Sequence, residues 1–122
     1  MSASNYLLLY VDSPKASGDF YADLLGLTPV ETSPTFQLFV LPSGLKLGLW
    51  SRHTVEPAAT ASGGGGELGF NVPDVAEVGR LYALWRKKGL RILQEPVDLD
   101  FGHTFVALDP DGHRLRVFAL SL

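Results

Sequence analysis

Apolar and amphipathic segments alternate along this chain, and the same order of segments occurs twice. In the first half, the run from Tyr6 to Val11 is apolar throughout, which is typical of a strand covered on both faces. The segment Pro14 to Leu25 has apolar residues at helical spacing, with Ser13 before it as a cap and Gly26 after it as a stop. We therefore predict a strand and then a helix. The predicted buried stripe of this helix consists of Ala16, Phe20 and Leu24, with Tyr21 and Leu25 on its border.

Three further strands are predicted to complete the first half. The first lies around Leu27 to Val30, and a polar loop leads from it to the second, Phe36 to Leu41. Pro42-Ser43-Gly44 has the composition of a hairpin turn and connects to the third, Leu45 to Trp50.

The second half begins with the same strand and helix. Glu67 to Val72 is the predicted strand, and Asp74 with Glu77 has the spacing of a helix capping box. Gly89 is the expected helix stop. The predicted buried stripe of the helix consists of Val75, Val78, Tyr82 and Trp85.

The last part of the chain completes the repeat. A strand around Leu90 to Leu93 is followed by the segment Gln94 to His103, which we predict to be a long loop that forms a lid or rim. Thr104 to Leu108 and His113 to Phe118 form the last hairpin, around an Asp-Pro-Asp-Gly turn. Asp109 and Asp111 of that turn are interpreted as turn formers, because a calcium loop would need a downstream glutamate that is missing.

The repeat predicts an α+β fold of two tandem βαβββ modules, which form a curved mixed sheet around a cavity. Residues 1–56 are the first module, residues 57–66 a Gly/Ala-rich linker and residues 67–122 the second module, together in one compact domain. The linker lacks the lysine and the following helix that a phosphate-binding loop requires.

Composition narrows the possible functions. A net charge of -3 gives no basic surface for nucleic acid or acidic lipid. The chain has no cysteine, which excludes disulfides and thiolate chemistry, and it shows neither a signal peptide nor a membrane span. We therefore expect a cytoplasmic protein without nucleic-acid or membrane partners.

Two segments carry a resemblance to a known family. In Val11 to Gly26 (VDSPKASGDFYADLLG) an F-Y pair precedes an L-G pair, and Phe105 to Val117 (FVALDPDGHRLRV) ends on a D-P-D-G hairpin. Their order and spacing resemble the vicinal oxygen chelate superfamily, which includes glyoxalase I, extradiol dioxygenases and bleomycin-resistance binding proteins. The resemblance covers essentially the whole chain.

The resemblance implies a place for a metal ion and also argues against one. Enzymes of the superfamily hold a divalent ion with side chains that correspond to Tyr6, Gly48, Glu67 and Arg116. Only Glu67 is an ordinary ligand, because a phenol is a poor ligand at neutral pH, glycine has no donor and arginine is a permanent cation. We therefore expect no metal and no other cofactor. Instead we expect an ion pair between Glu67 and Arg116, unless either side chain points to solvent.

Other chemistry has few candidates. Among the three histidines, His53 and His113 are interpreted as surface residues. His103, beside Asp100 and Phe101, is the best candidate for a general base or a hydrogen-bond donor. Glu67 and His103 are thus the two weak catalytic candidates.

Aromatic side chains point to binding. Strand parity places Tyr6, Leu8 and Tyr10 on one face, and Gly48 is expected to leave an empty slot beside Trp50 for a flat ring. Phe39, Phe101 and Phe118 are further candidate walls, although Phe118 is better explained as core. The predicted ligand-binding residues are Tyr6, Leu8, Tyr10, Phe39, Gly48, Trp50, Glu67, Phe101, His103 and Arg116.

Three functions remain open at this point. The favoured one is a metal-independent protein that binds a small, partly planar, apolar molecule, by sequestration or resistance as in the bleomycin-resistance branch. The resemblance also implies a homodimer in which each cavity is built from both chains. The alternatives are a lyase, isomerase or dioxygenase of the same superfamily, and a module whose former cavity is only core.

Overall fold

The structure is a computed structural model that describes residues 4–121. Within these residues the chain forms two helices and eight strands, so the predicted α+β class is confirmed. The elements are β1 (Tyr6–Val11), α1 (Pro14–Leu25), β2 (Glu31–Thr32), β3 (Phe36–Val40), β4 (Lys46–Ser51), β5 (Glu67–Asn71), α2 (Val75–Lys87), β6 (Arg91–Leu99), β7 (Gly102–Leu108) and β8 (Arg114–Leu120).

The described chain divides after Ser62 into two compact units, and each contains one helix and one four-stranded sheet. The strand order is β1-β4-β3-β2 in the first unit and β5-β8-β7-β6 in the second. In each sheet the first pair is parallel and the others are antiparallel. This identical order confirms the two βαβββ modules. Neither of the helices within residues 4–121 is long and apolar enough to cross a membrane.

Helix α1 has the predicted ends but a different buried side. The Ser13 hydroxyl accepts a hydrogen bond from the Ala16 amide at 3.1 Å, and Gly26 ends the helix with a φ of 65°. The predicted stripe is wrong, because Ala16 is exposed and Phe20 only half-buried. Gly18 faces the sheet instead, so close to the Gln37 side chain that a Cβ would not fit. The residues that are buried are Pro14, Ser17, Gly18 and Tyr21.

Helix α2 follows its prediction more closely. The Asp74 carboxylate accepts a hydrogen bond from the Glu77 amide at 2.9 Å, which confirms the cap. Val78 and Trp85 are buried as predicted, but Val75 is 57% exposed, so its place in the stripe is wrong. Val75 is the first residue of α2 and lies at its exposed N-terminal end.

Two strand predictions in the first unit need correction. Strand β1 is not covered on both faces, because Tyr6, Leu8 and Tyr10 are 53%, 42% and 39% exposed. The strand expected around Leu27 to Val30 forms later, at Glu31–Thr32, where it pairs with Gln37 and Leu38 of β3.

The predicted loop from Gln94 to His103 is mostly strand. Strand β6 continues to Leu99, and only Asp100 and Phe101 form the turn before β7. Two register shifts between β6 and β7 accommodate the polar segment around Gln94 and Pro96. Proline is tolerated here because β6 is an edge strand of its sheet.

Each sheet therefore has two different faces. One packs against the helix of its own unit and contains fully buried residues such as Leu47 and Leu49 in the first unit, and Leu115 and Val117 in the second. The opposite faces are called here the first open face and the second open face. The candidate site residues divide between these two kinds of surface.

Candidate functional site

The first open face is built by alternate residues of neighbouring strands. The parallel register pairs Leu8 with Gly48 and Tyr10 with Trp50, so these four residues lie on the same side of the sheet as Tyr6. This shared face is the one that strand parity predicts. Large apolar side chains remain exposed on it, and such a patch is typical of an interaction surface.

Aromatic packing orients Trp50 on this face. Phe36 of β3 stands directly opposite Trp50 in the antiparallel register. The two rings meet edge to face, with their centroids 6.3 Å apart. Trp50 is only half-buried, so its indole combines a fixed position with accessible surface.

The expected empty slot beside Gly48 is wrong. A Cβ at Gly48 would come within 2.6 Å of Leu8 Cδ2 and within 2.9 Å of the Phe36 ring. The space that a side chain at Gly48 would occupy is therefore filled by neighbouring side chains of the same sheet. The accessible aromatic surface of this face is at Trp50 and Tyr10, not at Gly48.

Phe39 does not belong to the first open face. It is fully buried and lies one residue along β3 from Leu38, so its side chain points to the helix side of the sheet. Its predicted role as a cavity wall is thus contradicted, and Phe39 is part of the core between the sheet and α1. Parity within β3 follows from where the strand begins, which the apolar run does not define.

The second open face contains the ion pair that the sequence predicts. Arg116 Nε donates to Glu67 Oε1 at 2.7 Å and Arg116 NH2 to Glu67 Oε2 at 2.9 Å, a two-point contact. Arg116 NH1 also donates to the Thr104 hydroxyl at 3.2 Å. The side chains are 31% and 19% exposed for Glu67 and Arg116, so the alternative in which they point away into solvent does not hold.

Electrostatics keep Glu67 ionised. The hydrogen bonds from Arg116 are the largest cause and hold the pKa of the Glu67 carboxyl below its ordinary value. Partial burial opposes this shift, while the charges of Arg116 and Arg114 add to it. The pair is thus a fixed salt bridge at neutral pH.

Aromatic residues continue the second open face beyond Arg116. Its guanidinium lies 5.8 Å from the centre of the Phe101 ring, and Phe101 meets Phe118 edge to face at 6.1 Å. Phe118 covers Gly69, where a Cβ would be 3.2 Å from its ring. Phe101 is 40% exposed, so the Asp100-Phe101 turn does place a ring at the surface.

One residue of this face was missed by the reasoning from sequence. Arg114 lies opposite Glu67 in the register, and its NH1 is 3.9 Å from Glu67 Oε2. The sequence does contain this information, because Arg114 and Arg116 are two residues apart in a predicted strand and must therefore share a face.

His103 lies on the other side of the same sheet. Its neighbour Thr104 reaches Arg116 on the open face, so His103 points towards the helix side, where it lines a pocket with Asp74 and Val75 of the α2 N-terminus. His103 Nδ1 is 2.7 Å from Asp98 Oδ1, so its partner is Asp98. The structure therefore does not bring the two catalytic candidates His103 and Glu67 together, because they lie on opposite sides of the sheet.

The remaining polar candidates form local contacts. His53 Nε2 is 2.7 Å from Asp12 Oδ1 on the surface of the first unit. Asp109 accepts hydrogen bonds from the amides of Asp111 and His113, which confirms its role as a turn former.

The residues at the family's metal positions do not suit a divalent cation. Both oxygens of Glu67 are engaged by Arg116, and two guanidiniums stand where a metal would need negative charge. In the first unit, Gly48 has no donor and Tyr6 lies 5.3 Å from the Lys46 ammonium. Across residues 4–121, no group of three histidine, aspartate or glutamate side chains is placed to hold a metal ion.

Comparisons with known proteins agree with this architecture. A phenazine antibiotic resistance protein, EhpR of Enterobacter agglomerans, is 32% identical over 120 residues, which are 96% of this chain and 92% of that protein. A protein of Agrobacterium tumefaciens with a solution NMR structure is 56% identical, with a TM-score of 0.91 and complete coverage of both chains. A glyoxalase-related enzyme of Fulvimarina pelagi shares the fold at 23% identity, with a TM-score of 0.83 over 98% of this chain and 88% of its own.

The family itself is shown by a match over most of the chain. Residues 3–117 match the family model of the glyoxalase/bleomycin resistance protein/dioxygenase superfamily. The two βαβββ modules have the architecture that this assignment requires. The chain belongs to the glyoxalase/bleomycin resistance protein/dioxygenase superfamily.

Proposed function

We propose that this protein binds a small, planar, largely apolar molecule on its aromatic open faces, without a metal and without converting it chemically. Binding would then act by sequestration, which lowers the free concentration of a toxic compound. The observation that carries the proposal is the two-point Glu67–Arg116 salt bridge, in which a guanidinium stands at a metal-ligand position of the superfamily.

Two features of the open faces favour binding of a flat ring system. Both Glu67 oxygens accept hydrogen bonds from Arg116, and the positive charge of Arg116 opposes a metal cation, so Lewis-acid chemistry lacks a suitable ligand set. Each open face has an exposed ring beside a half-buried one, and such aromatic surface suits flat rings, which bind by stacking and by burial of apolar area. These rings are Tyr10 and Trp50 on the first open face, and Phe101 and Phe118 on the second. Together these features favour recognition of a ring system over catalysis.

One relative suggests the ligand class. EhpR is named as a phenazine antibiotic resistance protein, and phenazine is a flat, tricyclic heteroaromatic. At 32% identity over nearly the whole chain, a related ring system is a reasonable ligand for this protein. Phenazine itself is therefore the first probe.

The two tryptophans make a direct test possible. Trp50 lies on the first open face, whereas Trp85 is buried in the core of the second unit against Phe70 and Phe105. Phenazine should quench the fluorescence of Trp85→Phe, in which Trp50 is the reporter. It should quench Trp50→Phe much less, and Trp50→Ala should weaken binding by roughly tenfold, which is about 1.4 kcal/mol.

Calorimetric titration of the same three variants separates binding from optical effects. The proposal is contradicted if the unmodified protein binds neither phenazine nor other flat heteroaromatics at millimolar concentration. It is also contradicted if chromatography of the recovered ligand shows a chemically altered product.

We further propose that the chain forms a homodimer, with residues 57–66 as a linker between the two modules of each chain. Exposed apolar side chains, such as Val40 at 39% and Leu93 at 48%, support this because association would cover such surface. Light scattering during gel filtration should give twice the chain mass of 13.2 kDa. A monomer at all concentrations would refute it.

A further inference from the structure

Positive side chains outnumber negative ones in the cluster around Glu67 on the second open face. Arg114 and Arg116 lie two residues apart on β8 and share the single carboxylate of Glu67. Two guanidiniums and one carboxylate leave this cluster with one uncompensated positive charge. The cluster of Glu67, Arg114 and Arg116 is called the arginine cluster below.

The two arginines differ in how fully they are engaged. Arg116 uses Nε and NH2 for Glu67 and NH1 for Thr104, and its side chain is 19% exposed. Arg114 is 41% exposed and reaches Glu67 at 3.9 Å, beyond hydrogen-bonding distance. Arg116 is thus a fixed part of the surface, and Arg114 is the cation that an incoming group can meet.

Polarity changes in steps along the face. The strand register places Glu67 and Arg114 in one row, Arg116 in the next, and Phe118 with Thr104 in the row after that. The row beyond it contains the exposed aliphatic side chains of Leu99 and Leu120. A molecule lying along these rows meets a cation at one end and aromatic and aliphatic surface over the rest.

We propose that the second open face selects planar ligands that carry an acidic group, and that Arg114 is the residue that determines this selectivity. The anionic group is held by Arg114 at the arginine cluster, and the ring system lies against Phe118 and Phe101. This inference rests on the proposed function, because it assumes that a planar molecule is bound. The chain has a net charge of -3, so attraction of an anion must come from a local cation.

Two probes with the same ring system test the inference. Phenazine is neutral, and phenazine-1-carboxylate adds one negative charge to the same tricycle. The unmodified protein should bind the carboxylate roughly threefold to tenfold more tightly, as expected for one partly exposed ion pair. Raising the ionic strength should reduce this preference and leave the affinity for phenazine unchanged.

Variants assign the preference to a residue. Arg114→Gln should abolish it while phenazine still binds, and Arg114→Lys should retain part of it because the charge is kept. Lys87→Gln on α2 removes the same charge away from the open face and should leave the preference intact. Lys46→Gln tests the cation beside Tyr6 in the first unit.

The possible results distinguish failure of the selectivity inference from failure of the proposed function. Equal affinity for both probes in the unmodified protein overturns the inference and leaves the proposed function standing. A preference that survives Arg114→Gln, or that is lost in Lys46→Gln instead, also overturns it. Failure to bind either probe refutes both proposals. Loss of phenazine binding in Arg114→Gln, with circular dichroism unchanged, assigns Arg114 a general role and contradicts selectivity.

Discussion

At the residue scale, Glu67 decides what the second open face can do. Its carboxylate receives two hydrogen bonds from Arg116 and lies 3.9 Å from the NH1 of Arg114. Removing that negative charge would leave two guanidiniums facing each other without a counter-charge. Glu67 therefore stabilises this surface as the counter-charge of both arginines.

Glu67→Gln is expected to lower the free energy of unfolding by about 1 kcal/mol. A partly exposed two-point ion pair contributes more to stability than a surface ion pair and less than a buried one. Urea unfolding at pH 7 measures this. Glu77→Gln is the matched control, because Glu77 forms the same two-point contact with Arg80, which is 60% exposed against 19% for Arg116, so its loss should cost less. An equal or larger loss in Glu77→Gln would contradict the special position of Glu67.

The effect of Glu67→Gln on stability should depend on pH. The folded pKa of Glu67 lies below its ordinary value of about 4.5. The unfolded chain therefore binds the proton first as pH falls, and the stability contributed by Glu67 is fully present above that value. The difference between the unmodified protein and Glu67→Gln should shrink from about pH 4.5 downwards and vanish below the folded pKa. A difference that is constant across this range would disprove the assignment.

At the element scale, local signals in the sequence predicted the ends of the elements better than their orientation. Ser13, Gly26 and Asp74 act within a turn of their own helix, so their roles can be deduced from neighbouring residues. The buried side of α1 could not be deduced, because it depends on the contact between Gly18 and Gln37 of β3. That contact joins residues that are distant in sequence.

The candidate site shows the same division. The Glu67–Arg116 pair is expected because the family resemblance places both residues at metal-ligand positions, and the pairing of β5 with β8 does bring them together. The filled space at Gly48 and the position of His103 depend on neighbouring strands and on register shifts in β6. A segment with a polar, proline-containing sequence predicts a loop, yet pairing with β7 makes it an edge strand.

Two helical glycines give opposite predictions. Gly18→Ala should lower the free energy of unfolding by about 1 kcal/mol, because its Cβ would displace the end of the buried Gln37 side chain, which the helix preference of alanine only partly offsets. Gly79→Ala should raise it by up to about 1 kcal/mol, because its Cβ meets no atom and alanine favours helix. Denaturant unfolding of both variants measures the signs. If Gly18→Ala is neutral or stabilising, the close approach of α1 to β3 is wrong.

At the scale of the whole molecule, the net negative charge of the chain opposes the binding of an anionic ligand that the arginine cluster favours. The chain is acidic overall, with a net charge of -3, while the arginine cluster is locally cationic. Exposed surface charges are screened within about 8 Å at physiological salt, so the local cluster outweighs the distant net charge for a bound ligand. Selectivity can therefore be local although the protein as a whole repels anions.

If binding needs no metal, the ligand should stabilise the folded protein whether or not a chelator is present. A ligand that binds only the folded chain should raise the free energy of unfolding by about 2.7 kcal/mol at a free concentration one hundred times its Kd. For phenazine, thermal unfolding should show this increase equally with and without EDTA, because the residues at the metal positions carry an arginine salt bridge. Trp50→Ala should reduce the increase at the same ligand concentration. If EDTA removes the stabilisation and a transition metal restores it, a metal takes part in binding and the metal-free proposal is refuted.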